Sequence, residues 1–171
     1  MRLIFLVILI FTLSACSIDT RTNLFSSDQE HQFILYANKY VGYSETENRT
    51  ELKQLMRVDP VRTEWCAAFV NAILEKQNML GSGSVHHNPL LARSFINWGK
   101  KVSRANIQPG DIIVFPRGGS NWQGHVGFYA GKHASGRWII LGGNQGNQVS
   151  YMLFRPTYAI SIRRAHKKSN L

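Results

Sequence analysis

The chain has 171 residues, 44% of them hydrophobic, two cysteines and a formal net charge of +10, which suits one domain with one core rather than several. Residues 1–75 carry 7 basic and 9 acidic groups, whereas residues 76–171 carry 13 basic groups and one acid, Asp111. That scarcity excludes a glycosidase built on two carboxyls flanking one bond, and the scattered histidines, with no thiol pair, give no metal-ligand spacing and imply no cofactor.

In chain order, Arg2, an apolar run from Leu3 to Leu13 and the small residues Ser14-Ala15 before Cys16 read as a secretory signal. The run is too short for a finished membrane span, which needs about 20 residues. Leu13-Ser14-Ala15-Cys16 resembles the lipobox of bacterial lipoproteins, which implies cleavage before Cys16 and its acylation. Two or more acyl chains hold a protein firmly where one does not. An ordinary cleaved signal near a cysteine is the plainer alternative. Ser17 stands where an aspartate would signal inner-membrane retention, so a Gram-negative source implies the outer membrane, facing the periplasm. The chain is thus divided into a signal at 1–15, a lipidated cysteine and polar tether at 16–29, a domain at 30–166 and a basic tail at 167–171. A flexible 13-residue tether spans about 20 Å.

Phe33, Ile34, Ala37, Tyr40 and Val41 fall at helical spacing, so a helix is expected over 30–41, ended by Gly42. A short helix over 48–57, a third over 64–78 and a fourth over 90–100 follow. The pattern then changes to strands at 112–115, 125–130, 138–141, 149–154 and 159–163, separated by glycine, serine and proline turns. The expectation is an α+β domain, N-terminal helices packed on an antiparallel meander of about five strands.

Acylation of Cys16 would leave Cys66 as one free thiol in an exported protein, where cysteines are ordinarily paired. Cys66 opens the third helix, and a helix N-terminus favours the thiolate. His125, between Gly124 and Val126 at the head of a strand, can take the thiol proton. Asn144, in Gly142-Gly143-Asn144-Gln145-Gly146-Asn147, can orient the imidazole, as an asparagine does in papain-like proteases. Each residue alone has an ordinary explanation: a small buried hydrophobe, a core histidine, a hairpin turn. Together they make the parts of a cysteine hydrolase. Trp65, Arg117 and Trp122 are candidate substrate-binding residues, Trp65 equally fitting the core and Arg117 equally fitting plain exposure. The basic half implies an anionic partner among wall polymers, anionic lipid head groups and nucleic acid, and export leaves nucleic acid the poorest fit.

Glu64-Trp65-Cys66-Ala67-Ala68-Phe69-Val70-Asn71, Ala92-Arg93-Ser94 with Trp98-Gly99, Pro109 to Phe115, Gly124-His125-Val126-Gly127-Phe128-Tyr129 and Leu141-Gly142-Gly143-Asn144-Gln145 resemble, in order, the NlpC-like and CHAP-type cysteine peptidases of the bacterial cell wall. The resemblance runs from about residue 33 to 164. It implies a papain-like fold, Cys66 as nucleophile, His125 as base, Asn144 as orienting residue, and peptidoglycan amide bonds as substrate. The segment Gly81 to Leu90 is longer than the family's usual link, which bears on the groove rim. A wall-binding lipoprotein that keeps the fold and an acyltransferase on the same fold are the rival readings. The sequence sets neither the bond cut nor the oligomeric state.

Overall fold

A computed structural model describes residues 32–165. The signal, Cys16, the whole tether and the basic tail lie outside the described residues. Helix α1 covers 32–38, α2 Arg49–Met56 and α3 Cys66–Lys76. Six strands follow: β1 Lys100–Lys101, β2 Ile112–Pro116, β3 Gly124–Lys132, β4 Trp138–Gly142, β5 Ser150–Phe154 and β6 Ser161–Arg164. They form one antiparallel sheet in the order β1-β6-β2-β3-β4-β5. The meander holds from β2 to β5. β6 then returns to β2, where Ile112 faces Arg163 and Val114 faces Ser161.

The run Ile112-Ile113-Val114-Phe115 is apolar throughout because both faces of β2 are covered. Ile112 and Val114 join Val126, Phe128, Phe33, Phe69 and Leu74 on the helical side. Ile113 and Phe115 join Tyr129, Trp138, Ile140 and Ile162 on the other, where Val102, Ile107, Phe154 and Ala159 close over them. Helix α3 is buried almost all round, from Cys66 to Leu74, as a central helix must be. Each large side chain so buried contributes about 1.5–3 kcal/mol.

Two expectations are corrected. The fourth helix is a six-residue 3-10 stretch, Ala92–Asn97. Ala92, Phe95 and Trp98 are buried at a spacing of three, which suits three residues per turn better than 3.6. The sheet also has a sixth strand, the two exposed lysines of β1, pairing Lys100 with Arg164 and Lys101 with Arg163. Gly99 makes that join possible: its φ is +56° and a Cβ there would run into the carbonyl of Arg164.

Asp111 is more than a turn former. Its fully buried carboxylate accepts from Arg164 Nε at 2.8 Å and Nη2 at 2.9 Å, and from the Gln108 amide at 2.8 Å. This bidentate pair ties the entrance of β2 to the end of β6.

Candidate active site

Cys66 is the first residue of α3 and a free thiol, 5% exposed. The backbone N–H groups of Val126 and Ala67 favour its thiolate, but burial outweighs them and pushes the thiol up, and Glu64 adds to that. The depressed thiol expected from the helix terminus is therefore absent from this resting arrangement. His125, second residue of β3, is pushed down to about 4, chiefly by burial, with Arg117 acting in the same direction and Gln145 against it. Both partners rest neutral at pH 7. Among the described residues no hydrogen bond joins Cys66 to His125; the Val126 amide places the sulfur beside the head of β3.

The imidazole is fixed on two sides. It stacks on Phe154, with ring centres 5.4 Å apart and planes 7° from parallel, and Phe154 stacks in turn on Phe115. At its edge, Nε2 lies 3.0 Å from Gln145 Oε1. Gln145 is 4% exposed, and its Nε2 donates to the carbonyls of Ser150, Ile140 and Gly142. With the amide nitrogen so committed, Oε1 is the atom facing the ring and can only accept. The proton therefore sits on Nε2 of His125, and Nδ1 is the basic nitrogen.

The Asn144 side chain does not face the imidazole. Its Nδ2 donates to Glu64 Oε2 at 2.9 Å, and its φ of +56° makes it a turn former. Asn147 and Gly146 share that left-handed conformation. Gln145 is the one residue of the run Gly142 to Asn147 with no turn-forming chemistry of its own, and that was the available signal for its role. Gly143 allows the loop to approach, since a Cβ there would lie 2.5 Å from the Trp65 ring and 2.7 Å from Phe69 Cβ.

A second correction concerns Trp65. It is fully buried, packed edge-on to Phe69, and its Nε1 donates to Glu45 Oε2 at 3.1 Å. It supports the loop from beneath and lines no groove. Trp122 and Arg117 do reach the cleft. A pocket of about 200 Å³ beside Cys66 is lined by both, together with Glu64, Leu90 and Leu91. Trp122 is 59% exposed there. Arg117 is paired with Glu64, so Glu64 joins Arg117 and Asn144 across the rim.

Sequence reasoning also passed over Arg93. It donates from Nε to the Gln123 carbonyl at 2.7 Å and from Nη2 to that of Ser120 at 3.1 Å, holding the loop that carries Trp122. The long 81–90 segment forms the facing wall through Leu90. It is pinned by Asn71 of α3, whose Oδ1 accepts from the Ser82 amide at 2.7 Å and whose Nδ2 donates to the Pro89 carbonyl at 2.9 Å. Among the described residues no cluster of three His, Cys, Asp or Glu could hold a metal ion.

A CHAP domain match covers residues 58–144, just over half the chain, with Cys66 and His125 inside it and Gln145 one residue past its end. The chain belongs to the CHAP domain family. Solved structures share the fold. NlpC1 from Trichomonas vaginalis superposes with a TM-score of 0.56 at 23% identity, covering 84% of this chain and 46% of that one. An NlpC/P60 family protein from Bacillus cereus gives 0.52 at 17%, covering 80% and 40%. The P60 domain of an M. avium paratuberculosis antigen gives 0.57 at 10%, covering 85% and 99%. The CHAP chain thus spans less than half of the first two proteins and nearly all of the isolated P60 domain. No curated protein sequence matches it. The papain-like α+β fold with NlpC/P60 and CHAP relatives is the architecture expected above.

Proposed function

We propose that this CHAP domain is a cysteine amidohydrolase that cleaves amide bonds in peptidoglycan stem peptides or cross-bridges. The observation that carries the reading is the joint placement of Cys66 at the head of α3 and of the Gln145-held imidazole of His125 at the head of β3. In the proposed cycle Sγ turns toward Nδ1, which takes the thiol proton as the sulfur attacks the scissile carbonyl. Proton transfer accompanies attack because both groups rest neutral. Nδ1 then protonates the leaving amine, and water, deprotonated by the same nitrogen, releases the acyl group from Cys66. The developing oxyanion meets the Cys66 backbone amide at the helix terminus. Gln145 holds the tautomer throughout. Trp122 and Leu90 offer apolar walls to substrate, and Glu64 and Arg117 a charged rim.

The same proposal includes export and acylation of Cys16, which would tether the domain to a membrane, the outer one facing the periplasm in a Gram-negative source. Acyl transfer on this fold would ask for a more apolar cleft than one rimmed by Glu64, Arg117 and Asn144. Purified peptidoglycan incubated with the wild type should release fragments with new amine and carboxyl ends, identified by mass. Fragments that carry only broken glycosidic bonds, or none at all, would reject the reading.

A further inference from the structure

The charges of the described domain are sorted in space. Its acids cluster around the helices and the cleft, where Asp59 meets Arg49 and Arg62, Glu75 meets Arg57, and Glu64 meets Arg117. The β1–β6 edge, by contrast, collects cations. Lys100 lies directly across from Arg164, and Lys101 from Arg163. Like charges directly opposite destabilise a sheet. Asp111 compensates Arg164 alone. Among the described residues Lys100, Lys101, Arg104, Arg155 and Arg163 have no acidic partner. Arg104 reaches over the neighbouring turn, with Nη2 3.4 and 3.3 Å from the carbonyls of Thr157 and Ala159. Arg155 lies over the ring of Tyr158, 6.0 Å from its centre.

That turn also presents apolar groups to solvent: Tyr158 is 56% and Ile160 43% exposed. Lysines on a short edge strand ordinarily guard against strand-to-strand aggregation. That explanation covers Lys100 and Lys101. It does not cover Arg104, Arg155 and Arg163, which lie off the edge strand, or the aromatic and aliphatic tips among them. Uncompensated cations around an amphipathic aromatic and an exposed isoleucine match an anionic lipid surface, where head-group charge faces the cations and the tips enter the interfacial layer. An anionic polymer would account for the cations, and its sugar rings for Tyr158, but not for the exposed Ile160.

We propose that the β1–β6 edge, with the Pro156–Tyr158 turn, is a docking surface for an anionic lipid bilayer. None of its residues lines the pocket beside Cys66, although Arg155 directly follows Phe154, whose ring stacks on His125. Arg163 faces Ile112 while His125 faces Phe115, three residues or about 10 Å further along β2, on the strand that flanks β2 on its other side. Docking would therefore leave the cleft open, and it stands independently of the chemistry proposed for Cys66.

The test is sedimentation of the full chain with two kinds of vesicle, phosphatidylcholine alone and phosphatidylcholine mixed equally with phosphatidylglycerol. The apolar N-terminal run acts on both, so the difference between them reads the chain's positive charge, and the substitutions below assign the edge's share of it. The wild type should prefer the anionic vesicles, less so as salt rises. Lys100→Gln/Lys101→Gln/Arg155→Gln should shrink the preference about a hundredfold, roughly fivefold for each cation removed. Tyr158→Ser/Ile160→Ser should weaken binding and leave its salt dependence in place. Thermal midpoints check folding, and if the triple variant unfolds, the single Lys100→Gln and Lys101→Gln variants should each lose about fivefold. Equal binding to both vesicles, or a preference unchanged in the substituted proteins, would overturn the proposal. So would binding confined to a soluble anionic polysaccharide, which would assign the edge to a wall polymer.

Discussion

At His125 the proton has one ring nitrogen to occupy, because Gln145 presents only an acceptor to Nε2. Removing that acceptor frees the ring to take the wrong tautomer. Gln145→Ala should therefore lower kcat by about 10²-fold, the scale of a misplaced catalytic group, with KM little changed. Asn144→Ala, which touches only Glu64, should cost far less, and steady-state kinetics on a defined muropeptide separates the two. The neutral resting pair has a pH signature as well. The folded pKa of His125, about 4, lies below its ordinary 6.5. The unfolded chain then binds the extra proton first as pH falls. Stability tied to this group is complete above about 6.5 and is lost on the way down to about 4, up to about 3 kcal/mol. Urea unfolding at pH 7 and pH 4.5 measures it, and His125→Asn should flatten the difference. Iodoacetamide should label Cys66 slowly at neutral pH and faster as pH rises past the ordinary thiol range, since burial holds the thiol protonated. Cys66 and His125 could be read from the sequence because a thiol at a helix start and a glycine-flanked histidine at a strand start are local patterns. The residue that faces the imidazole could not, since a one-residue choice between Asn144 and Gln145 turns on backbone φ, and only the folded loop fixes that.

Among the elements, α3 both presents the thiol and organises the wall beyond it. Asn71, one face round from the site, satisfies the backbone of the 81–90 segment. Asn71→Ala would leave buried polar groups unpaired, at a cost of about 2 kcal/mol. It should also raise KM more than it lowers kcat, because Leu90 loses its support. The Asp111–Arg164 pair does the corresponding work for the sheet. Asp111→Ala removes a buried carboxylate that accepts two hydrogen bonds from the Arg164 guanidinium and should destabilise by about 3 kcal/mol in chemical denaturation, with catalysis per folded molecule intact. Helices α1 to α3 and strands β2 to β6 were legible because their apolar periods are strong. The 92–97 segment was read as an α-helix since Leu91, Ser94, Phe95 and Trp98 fit 3.6 nearly as well as three. β1 was hidden, for two exposed lysines carry no strand pattern and pair only because β6 returns to that side of β2. Trp65 shows the limit of proximity in sequence: adjacent to the nucleophile, it points into the core.

Over the whole molecule, the ion-paired acids of the described residues lie at the helices and the cleft, apart from Asp111, while the β1–β6 edge carries Lys100, Lys101 and Arg163 without acidic partners among the described residues. The proposed anchor adds a third attachment. Metabolic labelling with a fatty-acid analogue should mark the wild type and not Cys16→Ser, and the substituted protein should leave the membrane fraction or accumulate unprocessed. Unlabelled wild type would refute acylation and leave the CHAP domain chemistry untouched. The family was legible as a whole because its motifs sit at the ends of elements in a fixed order. The bond cleaved was not, because the rim that selects it is built from Glu64, Leu90, Arg117 and Trp122, brought together from three separate segments.

The central claim is that Cys66 and His125 act as one unit. Peptidoglycan cleavage by wild type, Cys66→Ala, His125→Ala and the double substitution, each first shown to be folded, tests it most directly. The account predicts that both single substitutions fall to the same floor and that the double falls no further, as groups serving one step do. Wall cleavage that persists in Cys66→Ala, or losses that simply multiply in the double, would contradict it.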